Sequence, residues 1–286
     1  MKKKARLKKI NIDDLPKFSN WPKILIDSRT VVVHPKNYDE IQREYDRDKW
    51  GALYDKVKYS DFTIDDLDRM DFGDKKEIAC SIGGEIFLMD PLDAKRYLVR
   101  CIANELEIVF EPEGSIVEFG AGMGTIISRI ASDVRFNKAV NFIASDFSVK
   151  SLDLITLIAS RYQLNISTIN CDLNLINDFS LIPENSVVYF SYVLALVKNL
   201  DIHFWQKLKQ RHPKAVIIIE PLYDFYDESS ILGMMQRRYL TANDYNINIY
   251  KTILQARSEN IFSIQKINKN IIGINPFCPV SMLVLR

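Results

Sequence analysis

From Ile116 onward, short β-branched runs alternate with helix-compatible segments, and this alternation leaves the chain few folds to choose from. The runs are "SIVEF", "VNFIASD", "NISTINCD", "SVVYFS" and "AVIIIE", with Met123–Val134 and Val149–Tyr162 among the segments between them. Strand, helix, strand at this spacing predicts an α/β fold: a mostly parallel, Rossmann-like sheet with helices on both faces. The end of the chain departs from the pattern. "IFSIQKI" and "VSMLVLR" are joined by "NKNIIGINPFCP", which has no room for a crossover helix, so these two strands are expected to be antiparallel neighbours.

Before residue 113 the alternation is absent. "NYDEIQREYDRDKWGALYDKV" reads as a helix with Ile41, Tyr45 and Leu53 on one side. "DPLDAKRYLVRCIANELEIVF" reads as another, with Asp90 as N-cap, Pro91 in the first turn and Tyr97, Leu98, Cys101 and Ile102 at helical spacing. The expected organisation is a basic flexible tail (1–10), a mainly helical cap over the substrate region (11–112) and a sheet domain (113–286). Within the last, 222–256 is too long for an ordinary connection and reads as an insertion.

At 286 residues, with 47% hydrophobic and 26% charged side chains, the chain can bury a large core. A formal net charge of +1 gives no general argument for nucleic acid or membrane. No apolar run approaches the ~18 residues of a membrane span. "MKKKARLKKI" lacks the apolar stretch of a signal peptide, and the four cysteines form no C-x-x-C pair; both point to a cytoplasmic protein without disulfides or a zinc site.

"SIVEFGAGMGT" places Gly120, Gly122 and Gly124 where a strand turns into a helix. Glycines there bring a ligand close to bare backbone at a helix N-terminus. A dinucleotide would want G-x-G-x-x-G, but Thr125 stands at the third glycine position and Glu118 would repel a pyrophosphate. "EFGAGMG" instead resembles the acid-x-G-x-G-x-G signature of class I S-adenosylmethionine-dependent methyltransferases, over about residues 113–286.

That resemblance implies a seven-stranded sheet with an antiparallel last strand and S-adenosylmethionine as cofactor, leaving as S-adenosylhomocysteine, with no metal. It implies cofactor contacts at Glu118 (toward the ammonium), Gly120, Ala121, Gly122 and Gly124. Asp146 and Phe147, which end and follow the second strand of the sheet, would meet the ribose. Cys171 and Asp172 would lie at the adenine, and Ser191 near the transferred methyl group.

The substrate side is less defined. His203, in the helix after the fourth strand of the sheet, and Tyr192 are candidates for a catalytic base; His34 falls in the cap. Glu220, Tyr223, Asp224, Arg238 and Tyr239, with Arg237 nearby, are candidates for binding substrate from the insertion. "SYVLA" stands where relatives that methylate exocyclic amines carry an Asn/Asp-Pro-Pro-Tyr/Phe motif, which turns the expectation toward an oxygen or nitrogen of a small polar metabolite, natural-product intermediate or sugar, in a biosynthetic role. Alternatives are a peptide or RNA substrate held through the lysine-rich tail, an NAD(P)-dependent reductase, and a non-catalytic module that binds the cofactor. No membrane partner is expected.

Overall fold

The computed structural model describes residues 7–27, 37–111, 114–136, 141–175 and 179–286. His34 and the lysines of the tail before residue 7 lie outside them. The chain begins with β1 (Lys8–Ile10), a 3-10 turn, and helix α1 (Trp21–Ile26). One continuous helical stretch follows: α2 (Tyr38–Gln42), a π-helical segment (Arg43–Gly51) and α3 (Ala52–Val57). After α4 (Ile64–Met70) come the hairpin β2 (Ile78–Ile82) and β3 (Glu85–Met89), and then α5 (Pro91–Val109). Asp90 caps α5 as its sequence predicts, accepting from the Leu92 N–H at 2.8 Å.

The main domain continues with β4 (Ser115–Phe119), α6 (Thr125–Ala131), β5 (Asn141–Asp146), α7 (Val149–Tyr162), β6 (Ile166–Asn170) and β7 (Val187–Ser191). Next are α8 (Ile202–Lys209), β8 (Ala215–Glu220), α9 (Ile231–Ala242), α10 (Ile249–Ser258), β9 (Ile264–Ile272) and β10 (Val280–Leu285). The seven-stranded sheet runs β6-β5-β4-β7-β8-β10-β9. Its first five strands pair in parallel, and β10 is antiparallel to both β8 and β9, as the joined C-terminal runs require.

Alternation along the strands divides the core into two layers. Ile116, Tyr189 and Ile217 face the layer built with α5 and α6, while Val117, Val188, Phe190 and Ile218 face α8 and α10. Across the second layer the Trp205 indole N–H donates to Thr252 Oγ1 at 3.1 Å, tying α8 to α10. The later part of the expected insertion is therefore an ordinary covering helix, and only about residues 222–248 reach over the strand ends.

Two expectations for the N-terminal region change. Lys8–Ile10 is not a free tail but an edge strand paired with β3, and the region holds an antiparallel sheet, β1-β3-β2, as well as helices. Gly83 and Gly84, both at positive φ, make the two-residue turn between β2 and β3. The hairpin joins the main sheet through paired backbone bonds between Ser81 and Gly273 (2.9 and 2.7 Å).

Candidate active site

Where β4 ends, the backbone passes through three left-handed residues, Gly120, Gly122 and Gly124, at φ +68°, +53° and +72°. A side chain at Gly120 would put its Cβ 2.3 Å from Val193 Cγ2, and one at Gly124 would lie 2.3 Å from Ile155 Cγ1. Conformation and space both demand glycine at these two positions. The sequence alone suggests a loop that offers its N–H groups to a ligand; the structure spends them internally. Gly120 and Ala121 N–H donate to Ser145 O (2.8 and 3.1 Å), Gly124 N–H to Ala121 O (2.8 Å), and Gly122 N–H to Asp146 Oδ2 (2.8 Å). With these four donors engaged, the turn offers no nest for a pyrophosphate.

The loop borders a cavity of about 370 Å³ over the C-terminal ends of β4, β5 and β7, the place where open α/β sheets bind ligands. Glu118, Gly120, Ala121, Gly122, Asp146, Phe147, Ser191 and Tyr192 line it, so most of the expected cofactor residues come together. Glu118 is 1% exposed and its Oε2 has no hydrogen-bond partner among the described residues. Burial pushes its carboxyl up to about 8. Ser191 Oγ is likewise buried and unpartnered. An acid with a buried oxygen left unpaired, in the wall of a cavity, suits a cationic group brought by a ligand.

Asp146 is a staple as well as a lining residue. Oδ2 accepts from the Gly122 N–H and Oδ1 from the Ser148 N–H at 2.9 Å, and the Ser151 hydroxyl and the Phe147 N–H also act on the carboxylate. Burial raises its pKa, against the pull of those backbone donors. Cys171 and Asp172 do not line this cavity; they border a different recess of about 310 Å³. There Asp172 Oδ2 accepts from the Tyr38 hydroxyl and Oδ1 from the Asn174 N–H at 2.8 Å.

The catalytic and substrate candidates fare differently. His203 is exposed, hydrogen-bonded to Gln206 Oε1 at 3.0 Å, and lines a separate surface recess with Asn174 and Lys207, because the first turn of α8 points its polar side outward. Replacing His203 by alanine is expected to leave both cofactor affinity and turnover within about twofold of wild type, measured by titration and steady-state kinetics. Tyr192 stands in the cavity wall at φ +57°, an uncommon conformation for an aromatic residue. Burial holds its phenol well above its ordinary value, so it is no proton acceptor at neutral pH.

Glu220 is fully buried beneath the cavity, where it accepts from the N–H groups of Val193, Leu194 and Ala195 at 2.7, 2.9 and 3.3 Å. It shapes the loop after β7 and does not face a substrate. Tyr223 and Asp224 are absent from the lining, with Tyr223 stacked beneath the Arg237 guanidinium at 4.7 Å. Arg237 is engaged by Tyr226 O and Glu228, and Arg238 is half-exposed outside the cavity. Of the insertion's candidates only Tyr239 lines the site, joined by Tyr245.

Sequence reading missed most of the roof. Tyr45, Lys49, Trp50, Asp71, Phe72 and Lys95 come from the N-terminal region. Lys49 Nζ lies 4.5 Å from the Trp50 ring and 4.0 Å from Asp71. Nothing in their local sequence distinguishes them from an amphipathic helix surface.

No family model and no curated protein matches the sequence. Solved structures do match the fold. The chain superimposes on magnesium protoporphyrin IX methyltransferase from Synechocystis PCC 6803 with bound S-adenosylhomocysteine (TM-score 0.53, 11% identity), covering 87% of this chain and 99% of that one. It matches the cyclase SpnF with TM-score 0.56 and 12% identity, over 89% of this chain and 97% of that one. A third match is a sarcosine dimethylglycine methyltransferase, described as putative, from Galdieria sulphuraria (TM-score 0.51, 12% identity, 69% and 88% of the two chains). The fold is that of the class I S-adenosylmethionine-dependent methyltransferases. The two longest superpositions extend into the residues before 113, further than the sequence resemblance does.

Proposed function

We propose that the protein is a methyltransferase that uses S-adenosylmethionine to methylate an oxygen or nitrogen of a small polar metabolite, natural-product intermediate or sugar. One observation carries the cofactor reading: four N–H groups of the glycine turn are engaged, and the buried acid beside it, Glu118, has an oxygen without a hydrogen-bond partner among the described residues. A diphosphate needs the opposite arrangement, free N–H donors and no acid. An amino-acid ammonium attached to a nucleoside needs this one. Asp146, an acceptor in the cavity wall at the end of β5, is suited to the ribose hydroxyls, and Ser191 to the amino-acid end.

The reaction itself is an in-line displacement on a carbon that the sulfonium cofactor has already activated. The protein's share is alignment and exclusion of water, worth up to about 7–11 kcal/mol in favourable cases. The cavity supports both. Its volume of about 370 Å³ lies near the lower end of the ~300–1,000 Å³ range of small-molecule sites, and side chains from the N-terminal region close it from above. Of the basic run that would favour RNA or peptide, Lys8 and Lys9 have their backbone paired in the edge strand β1, and Lys9 pairs its ammonium with Glu85.

Titration calorimetry separates this proposal from the reductase reading. S-adenosylmethionine and S-adenosylhomocysteine are expected to bind with micromolar affinity and NADPH not measurably. Binding of NADPH alone would overturn the proposal.

A further inference from the structure

The helical strap Tyr38–Val57 touches the segments that follow β4, β5 and β6, three of the strand ends assigned to the proposed cofactor. Trp50 covers the glycine turn: a Cβ on Gly122 would sit 3.1 Å from Trp50 Cζ2. The Tyr45 ring meets Phe147 edge-on at 6.4 Å between centroids. Asp46 Oδ1 accepts from Ser148 Oγ at 2.7 Å and from the Lys150 N–H at 3.1 Å, closing the first turn of α7 directly after Asp146 and Phe147. Tyr38 donates to Asp172 at the end of β6. We infer that this strap is a lid for the nucleoside cofactor, which opens to admit it and closes to hold it before any acceptor arrives.

The inference rests on the cofactor reading above and gives the strap a different role from acceptor recognition. Its two ends are attached differently. Toward Val57 the attachment is apolar: Trp50, Val57, Phe62 and Leu67 pack with Met123, Leu154 and Ile158, and the Arg161 guanidinium donates to Phe62 O (3.1 Å) and Ser60 O (2.8 Å). Toward Tyr38 the strap is held by side-chain hydrogen bonds, and Asp39, Glu40, Gln42 and Arg43 turn no buried face to the protein. Each such bond contributes only about 0.5–3 kcal/mol net, so the Tyr38 end is the part that lifts while the Val57 end stays anchored.

Local geometry points the same way. The closing residues Tyr45, Asp46 and Trp50 all lie in the π-helical segment Arg43–Gly51. A π-helical turn is a poor packing solution that persists mostly where function requires it. Here it brings a carboxylate and an indole, four residues apart, to two different elements at once. Trp50 is 8% exposed, so the closed strap leaves little of the glycine turn open to solvent. Asp172 is coupled to the same motion, since its Oδ2 is occupied by the Tyr38 phenol whenever the strap is down.

The test is hydrogen exchange on the full chain with and without S-adenosylhomocysteine, no acceptor being present, together with stopped-flow dissociation of the same ligand. Amides of residues 38–50 should become at least about tenfold better protected when the ligand is bound. The variants Tyr38→Phe and Asp46→Ala should release it about fivefold faster or more, with little change in the melting temperature of the ligand-free protein. Saturation by S-adenosylhomocysteine without added protection of the strap, or wild-type release rates in both variants, would overturn the lid. Failure of the wild-type chain to bind S-adenosylhomocysteine at all would remove the cofactor reading and the lid with it. Because exchange is read on the unaltered protein, the answer does not depend on either variant folding.

Discussion

Replacing Glu220 by alanine is expected to lower the melting temperature by roughly 10 °C and to abolish tight cofactor binding. The carboxylate is fully buried and holds three consecutive N–H groups, those of Val193, Leu194 and Ala195. Removing it leaves those donors without an acceptor in a dry environment. Each buried N–H left without an acceptor costs about 1–3 kcal/mol, and in a chain of this size each kcal/mol lowers the melting temperature by roughly 2–4 °C. The loop it organises also shapes the site. Val193 fills the space that a side chain at Gly120 would need, and Ala195 and Leu196 line the cavity. Glu220→Gln keeps an oxygen for part of the cluster and should lose less than half as much. Scanning calorimetry of both variants, followed by titration with S-adenosylhomocysteine, measures the two effects. A melting temperature for the alanine variant within about 2 °C of wild type would show that the three N–H groups find other acceptors.

What the sequence reveals here depends on how local the cause is. The mostly parallel sheet follows from the alternation of strands and helices, and the glycine turn from three residues that need positive φ, so both are readable from a few neighbouring positions. Glu118 is legible for the same reason: one acid, fixed in register by its own strand. Glu220 shows the limit. As the last residue of a strand at the functional edge of the sheet it looks like a substrate contact, yet its side chain turns under the loop after β7, where three N–H groups await it. Whether an acid points outward or inward is decided by a distant backbone. The roof is harder still. Tyr38, Asp46 and Trp50 act on Asp172, Ser148 and Gly122, some 70 to 130 residues away, and no pattern in "NYDEIQREYDRDKWGALYDKV" announces such partners. The Gly83–Gly84 hairpin, by contrast, could have been found. Two glycines between the apolar runs "IACSI" and "EIFLM" are a strong hairpin signal, and the edge strand β1 pairs with that hairpin.

Glu118 should set how cofactor affinity and stability depend on pH, in opposite directions. In the free protein burial lifts its carboxyl from about 4.5 to about 8, so at neutral pH the folded state keeps a proton that the unfolded chain has released. Stability from this group is complete below about 4.5 and is lost as the pH rises through 8, by up to about 1.4 kcal/mol per pH unit. Glu220, raised by burial to about 7, adds a loss of the same sign that is complete one unit earlier. The ligand-free protein should therefore melt at progressively lower temperature from pH 5 to pH 8. Cofactor binding works the other way, because an ammonium beside Glu118 favours the ionised carboxylate and expels the proton. Between pH 5.5 and 7, where the ligand's ammonium is retained, affinity should rise by up to about tenfold per pH unit, with one proton released per ligand bound. Glu118→Gln removes the titration and imitates the protonated acid. It should leave the ligand-free protein as stable as wild type or more so, while weakening S-adenosylhomocysteine binding by roughly 100-fold, the equivalent of about 3 kcal/mol for a buried ion pair. Calorimetric titrations in two buffers of different ionisation enthalpy count the released proton directly. A pH-independent affinity with no proton release would detach Glu118 from the ammonium; a variant that binds as tightly as wild type would place the cationic end of the ligand elsewhere in the cavity.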